Sequence, residues 1–278
     1  MAYQQQQQQQ QKVGTAMFTQ GTGGACPPAA RPKCPPKYPL WKKVIIEGLA
    51  TYVVILAHLM IAGGVDAVLG GGGGVTGVLV GYLLIALFQG LSVYHIASVF
   101  YRSGAHANPW VTILALLANT APRIKIVAAG IYIVLQIAFG LLAALTARAL
   151  LGASSSLGLP TITTSIGLAI LTESLLSFVS YLTYLVVASN YQDPARSGLK
   201  FNNPALVGGF THAVLVLIGL FAGTGGAVNT LRWFAPAVFV GFSSTSWIYP
   251  VSHLIGGIAA FIVYFVVIME RTPKSRRG

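Results

Sequence analysis

The sequence predicts an all-α membrane protein: six transmembrane helices and two re-entrant half-helices, arranged as an inverted repeat. Three observations predict it. Hydrophobic residues make up 55% of the chain and charged residues only 8%, whereas a soluble domain carries about 25% charged residues. Six apolar runs each approach the roughly 20 residues that a helix needs to cross a bilayer. An order of long, long, short and long apolar runs occurs twice. Together these exclude a soluble enzyme of ordinary type. They also exclude disorder as the main state, which requires low hydrophobicity and high charge. The 32 glycines suit helices packed closely within a membrane.

The elements follow in order. Residues 1–40 read as a disordered Gln/Pro/Gly-rich cytosolic tail with an unbroken run from Gln4 to Gln11, too poor in apolar surface to fold alone. It lacks the charged start and apolar stretch of a signal peptide. Cys26 and Cys34, the two cysteines of the chain, both lie in it. Two cysteines with no histidine near them do not make a metal motif. Long apolar runs occupy about 44–65, 78–101, 127–147, 166–188, 205–223 and 247–269. Shorter runs at 109–118 and 230–241 cannot span, and each follows a Gly-containing turn. Residues 41–271 therefore form one membrane domain, with repeat 1 at about 41–150 and repeat 2 at about 161–271. Residues 272–278 form a basic cytosolic tail.

Each repeat holds three spans, an odd number, so the halves have opposite orientation, with broken helices meeting near the midplane. Ser103-Gly104-Ala105-His106-Ala107-Asn108-Pro109 precedes the first short run, and Thr224-Gly225-Gly226-Ala227-Val228-Asn229-Thr230 precedes the second. Basic residues set the topology. Of the 17 Lys and Arg, only Arg148 and Arg232 fall outside segments that six spans place on one side. Both termini are therefore expected in the cytosol. The formal net charge of +12 does not mark a nucleic-acid binder, because the basic residues form no amphipathic face.

Asn108 followed by Pro109 has the form of an N-cap and first helical residue. Glu47 and Glu173 are ionisable groups inside apolar runs, a costly placement that turns them toward the protein interior. Arg232 stands three residues after Asn229. His58, His95, His212 and His253 also lie in the apolar runs and receive no role from the sequence.

These motifs resemble the aquaporin, or major intrinsic protein, family. The resemblance rests on Ser103 to Pro109, Asn229 to Arg232, the paired Glu47 and Glu173, Tyr132-Ile133-Val134-Leu135-Gln136, and Phe234-Ala235-Pro236-Ala237-Val238-Phe239. It departs from the family's repeated Asn-Pro-Ala at Asn108-Pro109-Trp110 and again at Asn229-Thr230-Leu231. The resemblance implies an aquaporin-like fold and a homotetramer with one pore per protomer. It implies a passive channel for water and small uncharged solutes such as glycerol, without cofactor, metal or catalysis. It places Asn108, Pro109, Trp110, Asn229, Thr230 and Leu231 at the pore centre. Counting from the two asparagines, it places Phe88, Leu217, Gly226 and Arg232 at a selectivity filter. It gives Glu47, Glu173, Gln136 and His106 the task of supporting the re-entrant loops. Plasma membrane is the expected location.

Trp110 and Leu231 raise a question. If their bulk points inward, the centre narrows. The alternative is then an aquaporin-fold protein that does not conduct and serves a structural or interaction role. An ion-coupled transporter would need further carboxylates along its path. No P-loop, zinc motif or nucleophile elbow occurs, and the Gly70 to Gly74 run lacks the Gly-Lys-Ser/Thr ending of a phosphate loop.

Overall fold

The computed structural model describes residues 38–69, 74–120, 124–192 and 203–268. The expected N-terminal tail before residue 38, its two cysteines and the basic C-terminal tail lie outside the described residues. Eight α-helices and no strand occur among the described residues. In chain order they are α1 (Leu40–Leu69), α2 (Gly74–Val99), α3 (Pro109–Ala118), α4 (Ile126–Leu151), α5 (Ile166–Gln192), α6 (Pro204–Phe221), α7 (Thr230–Val240) and α8 (Ile248–Val263). A π-helical turn, Tyr264–Ile268, extends α8. Six of these are long and apolar enough to cross a membrane, while α3 and α7 are not. The architecture is six spans and two half-helices in an inverted repeat.

Local chemistry starts and stops the elements. Asn108 caps α3 with its side chain and Pro109 opens the helix, which ends at Asn119 in the left-handed conformation. That is the usual division of labour between an amide cap, a preset first turn and a left-handed stop. Asn203 and Pro204 open α6 in the same way. The missing side-chain signal at the start of α7, where Thr230 replaces proline, is compensated by its Asn229 cap.

Helices pair mainly as α2 with α6, α1 with α4 and α5 with α8. Small residues allow the first of these pairs to approach. A Cβ at Gly90 would sit 2.6 Å from the Gly209 carbonyl oxygen, and one at Gly209 would sit 2.7 Å from that of Gly90. Close packing of small residues is how apolar helices associate where lipid removes the hydrophobic drive. Large apolar side chains such as Leu83, Leu87 and Leu171 remain exposed on the outer faces, as lipid-facing surfaces require.

Candidate functional site

The site forms where α3 and α7 meet N-terminus to N-terminus. The Asn108 side-chain oxygen accepts from the Trp110 N–H at 3.1 Å, and that of Asn229 accepts from the Leu231 N–H at 3.0 Å. Across the junction, Asn229 Nδ2 donates to the Ala107 carbonyl at 2.8 Å and Asn108 Nδ2 donates to the Val228 carbonyl at 3.5 Å. The two residues that present these carbonyls, Ala107 and Val228, both have positive φ, +45° and +53°. Such backbone is strained for side-chain-bearing residues and persists only where its surroundings hold it. Each primary amide carries two N–H donors. One from each asparagine crosses the junction.

The loops are held from below by buried carboxylates. Glu47 accepts from the His106 N–H at 3.3 Å, the Ala107 N–H and Gln136 Nε2. Gln136 Nε2 also donates to Thr112 Oγ1, which lies 3.0 Å from His106 Nδ1. In the second half, Glu173 accepts from the Ala227 N–H at 3.2 Å. Two tyrosines complete the frame: Tyr132 donates to the Ser103 carbonyl and Tyr249 to the Thr224 carbonyl, each at 3.0 Å. Irregular backbone at membrane depth survives only when its polar groups are paired in this way.

Trp110 and Leu231 point away from the junction, each into the opposite half. Trp110 packs against α8, where a Cβ at Gly257 would lie 3.3 Å from its ring, within a cluster containing Val111, Leu114 and Tyr181. Leu231 is fully buried against α1 and α4. There a Cβ at Gly140 would lie 3.3 Å from its Cδ1. Two glycines thus make room for the two enlarged side chains. Thr230 Oγ1 lies 3.3 Å from His253 Nδ1.

A cavity of about 220 Å³ leads to the junction. Tyr101, Arg102, His106, Tyr184 and Thr211 border it, and Asn108, Asn229 and His212 lie on its wall as well. Neither Trp110 nor Leu231 borders it.

The four residues counted as a filter are not gathered around this cavity. Phe88 is 46% exposed on the outer face of α2. The buried stripe of that helix runs through Gly81, Ile85, Gln89, Ser92 and Ile96, so one turn presents Gln89 inward and Phe88 outward. Leu217 packs beside Ile61 and Val65 on Ala62, Ile85 and Val216. Gly226, with φ +59°, presses on Val216, whose Cα and carbonyl oxygen would each lie 2.9 Å from an added Cβ. Arg232 alone of the four carries a buried polar group: its Nη1 donates to the Gly158 carbonyl at 2.6 Å and its Nε has no partner. Counting along the chain assumed that helix faces are preserved. An apolar helix without a polar side gives no signal for its facing.

Sequence reasoning left His58 and His212 without a role, yet both are buried and their rings stack at 5.0 Å. The available signal was their polarity within apolar spans. His95 is exposed and meets Phe100 edge-on. Among the described residues no three His, Cys, Asp or Glu side chains converge on a metal position.

This fold and site define a multi-pass membrane protein of the channel class, built around two re-entrant half-helices. Residues 36–264 match the model of the major intrinsic protein family. The chain is 30% identical over 245 residues to Aquaporin-4 of Mus musculus, covering 85% of this chain and 70% of that one. It is 31% identical over 227 residues to Aquaporin TIP4-4 of Zea mays, covering 80% and 85%. In fold it is similar to the aquaglyceroporin from Plasmodium falciparum, with a TM-score of 0.62 at 18% identity over 82% of this chain and 97% of that one. The chain belongs to the major intrinsic protein family. It is a membrane channel for water or small solutes, and not an enzyme.

Proposed function

We propose that this protein is a passive channel for water. The observation that carries the reading is the pair of amides at the inner end of the cavity, each fixed by its own cap bond and by a bond across the junction. A water oxygen there accepts from Asn108 and Asn229 together. Its two hydrogens then face outward in opposite directions, which interrupts a proton-conducting file. Two helix N-termini aimed at the same point add partial positive charge, and cations meet an electrostatic barrier. Arg232 adds a full positive charge further along.

Phe88, Leu217 and Gly226 do not border the cavity, whereas His212 does, and water is the solute we propose. The non-conducting alternative rested on Trp110 and Leu231, both of which pack outward. Residues of α1, α2, α3, α5 and α6 of a single chain line the cavity, which supports a pore in each protomer of a homotetramer. The distribution of Lys and Arg supports cytosolic termini, with the plasma membrane as the location. Stopped-flow shrinkage of proteoliposomes tests the reading. Water efflux faster than from empty vesicles, without a proton or salt gradient to drive it, is expected. Efflux equal to that of empty vesicles would overturn it.

A further inference from the structure

We propose that His58, on the first span, determines the selectivity of this pore by holding His212 across its path. The inference rests on the water-channel reading above and extends it to a residue that the filter count does not contain.

The cavity follows one face of α6 through Pro204, Gly208 and Thr211 and stops at His212. Behind His212 stands His58, fully buried on α1, its ring stacked on that of His212 with a 5.0 Å centroid separation and 21° between planes. Gln89 of α2 donates to the His58 backbone carbonyl at 3.4 Å. Arg232 lies within electrostatic reach of both rings, and its Nη1 is tied to Gly158. Four elements, α1, α2, α6 and α7, therefore converge at the blind end of the cavity.

The polar atoms there are unusual. His212 Nε2, Gln89 Oε1 and Arg232 Nε are buried and have no partner within the protein, and the buried His58 ring has only a loose interaction with the Gln89 backbone carbonyl. Buried polar groups are nearly always paired, and where the protein does not pair them water does. A row of such groups beyond the cavity marks the continuation of the water path, lined by imidazole edges, an amide and a guanidinium. The stacked rings are its narrowest element. His212 has the cavity on its open side, so its ring could swing inward. The parallel face of His58 holds it in place.

A constriction of this composition favours water. Imidazole edges, an amide and a guanidinium offer it donors and acceptors, which the carbon face of a polyol cannot use. Glycerol would have to leave its carbon chain against unpaired polar groups, which neither side can satisfy. Ring bulk and wall polarity therefore discriminate in the same direction.

The experiment uses the full chain reconstituted in vesicles, with water followed by osmotic shrinkage and glycerol by refilling after a glycerol pulse. The wild type is expected to pass water and to take up glycerol no faster than empty vesicles. His58→Ala and His212→Ala are each expected to raise glycerol permeability relative to water permeability by about tenfold, the scale of a single pocket contact. The double variant should not exceed His212→Ala, because His58 acts through the His212 ring. His58→Phe, which keeps a flat ring for stacking, should still exclude glycerol. A structural lesion alone would not give that recovery. If His58→Ala fails to insert, His58→Leu against His58→Phe decides, with glycerol passing only in the former. Glycerol exclusion that survives His58→Ala or His58→Leu overturns the inference. A wild type that passes glycerol overturns it too, while leaving the channel intact. Absence of water flux from the wild type and every variant overturns the channel reading, and this inference with it.

Discussion

The two re-entrant loops adopt matching backbones by different means. In both, the residue before the asparagine has positive φ, the asparagine caps the half-helix, and a tyrosine hydroxyl grips the carbonyl at the loop's start. The first loop is suspended from a polar network: Glu47 takes three donors, and Gln136, Thr112 and His106 extend the web. The second loop leaves one Glu173 oxygen without a partner and instead presses its glycines on neighbouring backbone. Gly225 abuts Pro160, and Gly226 abuts Val216. Arg232 fastens its far side to Gly158. One conformation can thus be stabilised by hydrogen bonds or by close packing. The half that uses packing is the half that carries the buried guanidinium.

The largest expected effect separates the two carboxylates. Glu47→Ala leaves three buried donors unpaired, at about 1–3 kcal/mol each and about 3–9 kcal/mol together. Glu173→Ala breaks the bond from the Ala227 N–H and the looser interactions with the Val228 N–H and the Thr224 hydroxyl, and should cost less than Glu47→Ala. Thermal unfolding in detergent should rank them in that order, and equal losses would break the comparison. Next comes the bulk at the half-helix starts. Leu231→Ala should destabilise by about 2–5 kcal/mol, as removal of a fully buried leucine does. Trp110→Ala should cost less, because that side chain is only half-buried. Both variants should leave glycerol exclusion unchanged, since neither residue borders the cavity; glycerol entry in either would contradict the outward packing.

A smaller effect probes the glycines. Gly226→Ala adds a Cβ 2.9 Å from Val216 backbone at a φ of +59° and should cost about 1–3 kcal/mol. The corresponding Ala105 already carries a side chain at φ +47°, so Ala105→Gly should change stability by no more than about 1 kcal/mol. The reverse ranking in the same unfolding assay would erase the distinction between packed and hydrogen-bonded loops. The smallest expected effect is none. Cys26 and Cys34 precede the first span and no cysteine lies within any span. Mercurials should leave water flux unaltered, and inhibition that persists in a Cys26→Ser/Cys34→Ser variant would place the pore elsewhere.

The fold was legible because its signals are local. Span length, the Asn108-Pro109 start and the recurrence of long and short apolar runs each follow from adjacent residues, and α3 occupies the same residues that its short apolar run marks. Polar residues in and beside the apolar runs also announced themselves: Asn108, Asn229, Glu47 and Glu173 all lie at the junction of the halves. What the sequence did not contain was facing. Phe88 and Gln89 are neighbours on an almost uniformly apolar helix, and only contact with α1 and α6 decides which turns inward. The same is true of Trp110 and Leu231. Their direction depends on Gly257 and Gly140, which are remote in sequence and silent as single residues. The stacking of His58 on His212 is a distant pairing as well, between α1 and α6, and no local pattern encodes it.

The crossed seating of Trp110 and Leu231 constrains how the chain can be made. Trp110 emerges early in synthesis, but the groove that receives it lies on α8, the last helix. Gly140 is in place long before Leu231 arrives. A nascent first half therefore inserts with an indole that has no seat, and its asparagine has no carbonyl across the junction until Val228 is made. The half-helix can find its resting position only after the ribosome has delivered nearly the whole chain. Biogenesis should accordingly pass through a stage in which the earlier spans are threaded but the centre is still unclosed, and truncation before α8 should arrest the chain at that stage.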